Sequence, residues 1–219
     1  MRTQSQLEQE IAEQVAALRQ HGLRARLTQS GLVLQRTAAL MASGSHAQKL
    51  WYQAAICHGI ALVANGQLRH AYATLDTRPN EAPAPALVPQ TPAEMKLQAM
   101  LLVNRAVCGA SEPAMWNHVA CRTFTAEAID ILEELDQPAL LPWMGVALTV
   151  NALCWFKADP QRSRDRATRA LRYIRWHQPQ LYIFAQGLAG RGDGMVRTQG
   201  RVWRAGLNFE ECLYYFNER

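Results

Sequence analysis

The sequence has few charged residues and lacks every short motif that would identify a reaction. Charged side chains make up 19% of the 219 residues, whereas about a quarter is usual in soluble domains, so much of the surface is expected to be neutral. There is no P-loop, no dinucleotide-binding glycine fingerprint and no zinc-protease motif. No catalytic residue, cofactor or metal ion is therefore assigned, and the chain is not predicted to be an enzyme.

The cysteines are too few and too scattered for a disulfide framework or a zinc finger. They are odd in number and include no CxxC pair. Cys108, His118 and Cys121 are near one another in the sequence, but their spacing fits no common zinc site. The expectation is buried free thiols at Cys57, Cys108, Cys121, Cys154 and Cys212.

No uninterrupted apolar stretch is long enough for a membrane span. The most apolar run, residues 139–156, is broken by Pro142, Thr149 and Asn151, so we expect a buried helix of a soluble protein. The first twenty residues contain three glutamates and lack the apolar core of a secretion signal. These features predict an intracellular protein, cytoplasmic rather than organellar.

Apolar residues recur at helical spacing along most of the chain. Leu7, Ile11, Val15 and Leu18 form a stripe that predicts an amphipathic helix over residues 4–20. The segment 23–41 fits a helix or a short strand, and its continuation to Leu40 favours the helix. Further helices are predicted from 92 to 108 with Gly109 as the stop, over 125–136 with an acidic face, and over 143–156, 162–176 and 181–188.

Residues 50–83 contain two helical periods separated by a turn. The first period includes Trp51 and Leu62, the second runs from Leu68 to Leu75, and Asn65-Gly66 stands between them. Glycine just past a helix end adopts the left-handed conformation without steric cost. The small residues Gly59 and Ala71 would allow a close approach of the two helices. The pattern predicts an antiparallel helical hairpin.

This hairpin resembles a tetratricopeptide repeat. Gly59 and Ala71 correspond to the small residues of that repeat's two helices, Gly66 to the turn, Leu75 to the large apolar position and Pro83 to the closing proline. Ala55, His58 and Arg78 depart from the family pattern. The resemblance implies stacked helix pairs that bind a peptide or a protein.

The region after the hairpin is rich in proline, with five prolines between 79 and 92. Proline removes backbone donors and favours extended geometry, so this region is predicted to be a loop. The organisation predicted from the sequence is a helical array over residues 1–189, with the 79–92 loop inserted. A Gly/Arg-rich loop and an aromatic segment over 190–219 are expected to pack on the array.

Charge is distributed unevenly along the chain. Residues 93–159 contain four basic and eight acidic residues, and residues 160–219 contain eleven basic and five acidic residues. Arginines at helical spacing beside aromatic residues can bind phosphates and stack on bases, although arginines on a helix more often face solvent or pair with carboxylates. The acidic helix over 125–136 is an available internal complement. The candidate contact residues, for a nucleic acid or a protein partner, are Arg162, Arg166, Arg169, Arg172, Tyr173, Arg175, Trp176, Arg191, Arg197, Arg201, Trp203 and Arg204.

The predicted fold is all-α, with seven to nine helices stacked as antiparallel hairpins and little or no strand apart from a candidate hairpin near the C-terminus. Helical arrays present long surfaces to other chains. The leading functional hypothesis is therefore a non-enzymatic interaction scaffold or a subunit of a larger assembly. The alternative is a helical protein that binds nucleic acid, RNA rather than DNA, through its basic C-terminal third. Arginines on one contiguous surface would favour the alternative, and arginines placed against carboxylates would favour the scaffold.

Overall fold

A computed structural model describes residues 3–20, 26–42, 48–76, 89, 91–111, 117–174 and 179–190. All regular structure in these ranges is helical, which confirms the predicted all-α class. A 3-10 turn, Pro138–Leu140, separates two of the helices. Within the described ranges the helices are α1 (Gln4–Gln20), α2 (Leu27–Ala42), α3 (Gln48–Ala64), α4 (Leu68–Thr74), α5 (Pro92–Ser111), α6 (His118–Leu135), α7 (Leu141–Trp155), α8 (Pro160–Ala170) and α9 (Pro179–Leu188).

Two regions that the sequence analysis singled out fall mainly outside the described ranges. They are the proline-rich loop over 79–92 and the Gly/Arg-rich C-terminal segment from residue 191 onward. By its internal contacts the chain divides into two compact units, and the division falls within α5, between Leu101 and Leu102.

The first unit has the amphipathic helices that its sequence predicts. Helix α1 buries Ile11, Val15 and Leu18 in a cluster with Val33 and Leu40 of α2. Helix formation by α2 resolves the helix-or-strand ambiguity, because its apolar residues reach this cluster at helical spacing. On the outer side of the same pair, Arg36 Nη1 lies 3.1 Å from Glu10 Oε1.

A partly buried hydrogen bond links α2 to α3. Ser30 Oγ donates to the Leu27 carbonyl at 2.9 Å and lies 3.0 Å from Nδ1 of His58. Since the hydroxyl proton points to the carbonyl, His58 Nδ1 must carry the proton that it shares with Ser30. Partial burial lowers the pKa of His58 below its ordinary value of 6.5. His58 is therefore held neutral as a structural link between two helices.

The predicted hairpin over α3 and α4 is present. Helix α3 ends at Ala64, and Gly66 follows in the left-handed conformation with φ of 74°. Gly59 and Ala71, the predicted small residues of the two helices, are both buried. A Cβ added at Gly59 would lie 2.9 Å from Leu75 Cδ2, so this glycine makes room for the leucine that follows α4.

The second unit is built around α7. This helix is buried continuously from Pro142 to Ala152, as its apolar sequence predicts. Helices α6 and α8 each pack along α7, and α9 packs against α8 and α7. The stretch Pro138–Trp155 is long and apolar enough to cross a membrane by composition, but 78% of it is buried inside the fold. That burial is typical of a core helix.

Three predicted helix bounds were wrong. Helix α6 begins at His118, seven residues before the predicted start at residue 125. Helix α5 continues through Gly109 to Ser111, because Gly109 is buried and the surrounding residues pack on the core. Helix α8 ends at Ala170 instead of Trp176. The chain turns there because Ile174 packs on α7, where a Cβ added at Gly145 would lie 3.1 Å from Ile174 Cγ1 and 3.2 Å from its backbone nitrogen.

Candidate binding groove

A groove of about 500 Å³ lies in the second unit. Helix α7 forms its floor, and α6 and α8 form its walls. Six of its lining side chains carry charge, three of each sign, and Asn151 and Trp155 come from the floor. The lining residues are Arg122, Thr123, Ala126, Glu127, Asp130, Ile131, Glu134, Asn151, Trp155, Arg162 and Arg166.

The end of the groove nearest the C-terminus of α7 is an arginine–tryptophan cluster. The guanidinium carbon of Arg122 lies 4.3 Å from the centre of the Trp155 ring, and that of Arg162 lies 4.1 Å from it. Both distances are within the range of cation–π attraction. Helix α8 begins beside this cluster because Asp159 caps it, accepting from the Arg162 backbone N–H at 2.9 Å. The cap fixes where Arg162 leaves the helix.

The arginines of α8 face the acidic helix α6. Arg166 lines the groove one turn after Arg162. One turn further, Arg169 donates from Nη2 to Glu133 Oε1 and forms an ion pair with it. This hydrogen bond is the main cause that raises the pKa of Arg169. The sequence predicted that these three arginines share one face of their helix. It also predicted that the acidic helix, now α6, could pair with them, and Arg169 does so through Glu133.

The remaining predicted contact residues do not join the groove within the described chain. Arg172 is exposed and Tyr173 partly buried in the turn after α8. Seven others lie outside the described ranges, namely Arg175, Trp176, Arg191, Arg197, Arg201, Trp203 and Arg204. Of the twelve predicted contact residues, Arg162 and Arg166 line the described groove. Arg169 lies beside it, paired with Glu133.

The acidic wall of the groove comes from successive turns of α6. Glu127, Asp130 and Glu134 are exposed and line the groove at intervals of three and four residues. Asn117 caps the start of this helix, and its Oδ1 accepts from the backbone N–H groups of Val119 and Ala120 at 3.1 and 3.0 Å. Together with Arg122, Arg162 and Arg166, the three carboxylates give the groove a balanced charge.

A chain of hydrogen bonds lies beneath the groove. Thr125 Oγ1 donates to a backbone carbonyl of its own helix, that of Cys121, at 2.8 Å. It accepts from Asn151 Nδ2 at 2.9 Å. Asn151 is 3% exposed, and its Oδ1 is buried with no hydrogen-bond partner. With its proton directed to the Cys121 carbonyl, the Thr125 hydroxyl acts as an acceptor for the Asn151 side-chain N–H.

Among the groove residues that the sequence did not predict are Arg122, Asn151 and Trp155. The available signal was in α7, where Asn151 and Trp155 are four residues apart near the end of an otherwise apolar helix, and so share a face. No local pattern marks Arg122 as a groove residue, because it contacts Trp155 of another helix and that contact depends on how the two helices pack.

The cysteines behave as the sequence predicts wherever the structure describes them. Cys57, Cys108, Cys121 and Cys154 are buried free thiols, and Cys212 lies outside the described ranges. Burial raises the pKa of Cys121 to about 11 and that of Cys154 to about 12. In the described part of the chain, no three His, Cys, Asp or Glu residues are grouped to hold a metal ion.

Comparison of the chain with protein-family models, curated proteins and solved structures found no match. The tetratricopeptide resemblance therefore stays a prediction from residues 50–83, and the groove has to be interpreted from its own chemistry.

Proposed function

We propose that this protein is a non-enzymatic interaction module that binds another protein, as a scaffold or as a subunit of a larger assembly. The observation that carries this proposal is the placement of the α8 arginines. Arg162 stacks on Trp155 and Arg169 pairs with Glu133, while Arg166 faces a wall of carboxylates. A groove of balanced charge suits the mixed side chains of a protein better than a row of phosphates.

The packing of neighbouring helices within each unit supports helical hairpins as the framework for this function. Within the first unit α1 packs with α2, α2 with α3 and α3 with α4, and within the second unit α6 packs with α7, α7 with α8 and α8 with α9. We propose that these pairs stack as antiparallel hairpins, in the manner that the tetratricopeptide resemblance implies. Such stacks bury their cores between repeats and leave grooves for partner chains.

The proposal is tested by purifying the tagged 219-residue chain, with nuclease treatment, from the cells that make it. We expect protein partners to remain bound at about 0.15 M salt, where exposed charges more than about 8 Å apart are largely screened. The purified chain should show no saturable binding to a fluorescent single-stranded RNA under the same conditions. Saturable RNA binding would contradict the proposal and support the nucleic-acid alternative. In that case the logarithm of the association constant should fall linearly with the logarithm of the salt concentration.

A further inference from the structure

Two arginines of the groove contact an indole ring and no carboxylate. The guanidinium carbons of Arg122 and Arg162 lie 4.3 and 4.1 Å from the centre of the Trp155 ring. Within the described ranges, neither side chain forms an ion pair or a hydrogen bond. The two carboxylates nearest to Arg162 in sequence have other partners: Asp159 accepts from the Arg162 backbone N–H at 2.9 Å, and Asp165 accepts from a glutamine of α8 at 3.0 Å. The groove therefore holds two positive charges at one end, and no described carboxylate contacts either of them.

The next two charges along the groove oppose each other. Helices α6 and α8 run in the same direction, because short connections join each of them to α7 and both pack along it. Arg166 follows Arg162 by one turn of α8, which places it about 6 Å further along the groove. Glu127 follows Arg122 by five residues of α6, which places it about 7.5 Å further along. These two opposite charges lie at about the same level on facing walls, so the middle of the groove is close to neutral.

The far end of the groove is acidic. Asp130 and Glu134 follow Arg122 by eight and twelve residues, and so lie about 12 and 18 Å further along α6. Exposed charges more than about 8 Å apart are largely screened at about 0.15 M salt. These two carboxylates therefore do not neutralise the arginine–tryptophan cluster, and positive charge is in excess only at that end of the groove.

The N–H donors of the two clustered arginines are available to an acceptor. A guanidinium group has several N–H donors in one plane, and an indole ring offers no oxygen or nitrogen lone pair to accept them. A carboxylate accepts two such N–H groups side by side, in charge-assisted hydrogen bonds of about 2.7–2.9 Å. Since both guanidinium carbons are close to the same ring of Trp155, one carboxylate beside that ring can accept from Arg122 and Arg162 together.

We propose that the arginine–tryptophan cluster receives one acidic side chain of the partner protein, an aspartate or a glutamate. Its carboxylate accepts hydrogen bonds from Arg122 and Arg162. An acidic run or an RNA strand would be repelled at the far end of the groove, so a single carboxylate in an otherwise neutral segment suits the groove better than a polyanion does. This inference rests on the proposed function and names the chemistry of the partner.

The test titrates the 219-residue chain with the capped peptide Ala-Ala-Glu-Ala-Ala and with its Gln analogue. Binding is read by NMR from the indole N–H signal of Trp155, which is assigned from its loss in Trp155→Phe. The Glu peptide should shift this signal saturably. The Gln peptide should bind about threefold to tenfold more weakly, because it cannot form the charge-assisted hydrogen bonds.

Two matched variants separate the cluster from the overall charge of the chain. Arg162→Gln should weaken binding of the Glu peptide about threefold to tenfold, because one of its two donor groups is lost. Arg164→Gln removes the same charge from the same helix, at an exposed arginine that is not among the groove-lining residues. Its side chain is on another face of the helix, so the dissociation constant should change less than about twofold. If Arg162→Gln does not fold, the comparison of the two peptides on the parent still tests the site.

The inference is overturned if the Glu peptide causes no saturable shift, if the Glu and Gln peptides bind alike, or if Arg162→Gln and Arg164→Gln weaken binding equally. Protein partners that still co-purify with the parent would then show that the interaction function survives at another surface. Loss of a partner from Arg162→Gln but not from Arg164→Gln would support the inference. Absence of any protein partner of the parent would instead contradict the proposed function itself.

Discussion

Gly59→Ala is the sharpest test of the packing in the first unit. The added Cβ would lie 2.9 Å from Leu75 Cδ2, 3.0 Å from Cγ and 3.3 Å from Cδ1, all shorter than the optimal carbon–carbon separation of about 3.5–4.0 Å. Leu75 is 1% exposed, so its side chain cannot move away into solvent. Overpacking of this kind costs about 1–3 kcal/mol, and alanine recovers about 0.5–1 kcal/mol of helix propensity. The middles of these two ranges differ by about 1 kcal/mol, which is the net destabilisation that we expect.

The same substitution should have the opposite effect in a Leu75→Ala background. Leu75→Ala by itself costs about 2–5 kcal/mol, because it leaves a cavity. Without the leucine, the added methyl group has room, so Gly59→Ala should stabilise this background by about 0.5–1 kcal/mol. The four proteins form a double-mutant cycle, measured by denaturant unfolding followed by circular dichroism. An equal effect of Gly59→Ala in both backgrounds would refute the close approach of Gly59 and Leu75.

Three further predictions follow from single residues. Because burial lowers the pKa of His58 below 6.5, the unfolded chain binds more protons below that pH, so the free energy of unfolding should fall as pH drops through 6.5. In the His58→Gln variant the free energy of unfolding, measured between about pH 5 and 8, should change less with pH than in the parent. Equal pH dependence in the two proteins would contradict the lowered pKa of His58. Since burial raises the pKa of Cys121 to about 11 and that of Cys154 to about 12, both thiols should resist iodoacetamide at about pH 8 until the chain is unfolded; rapid labelling of either in the folded protein, read by mass spectrometry, would contradict the burial. Asn117→Ala should destabilise the protein by about 1 kcal/mol through loss of the α6 cap, and an unchanged midpoint of thermal unfolding would argue against that cap.

The local sequence was sufficient to predict most of the helices. The stripe of apolar residues in 4–20 gave α1, the apolar run after Pro138 gave α7, and Asn65-Gly66 marked the end of α3. These features depend on neighbours within a few residues, through helix periodicity and the conformational freedom of glycine. Two helix ends were mispredicted because tertiary packing decided them. Gly109 stays helical where it is buried, and α8 stops where Ile174 must reach α7.

The groove required the tertiary structure. The sequence predicted that Arg162, Arg166 and Arg169 share a face, because their spacing is local. It did not determine that Arg162 stacks on Trp155 or that Arg169 pairs with Glu133, 36 residues away.

The buried acceptor on Asn151 likewise exists only because Thr125 lies 26 residues away in sequence but 2.9 Å away in space. Contacts of this kind depend on how α6 and α8 pack along α7, and helical periodicity determines which face a residue occupies without determining what that face meets. The sequence by itself therefore determined where the helices lie along the chain and which of them are acidic or basic. The packing of α6, α7 and α8 decided which charged residues pair with each other and where a groove remains.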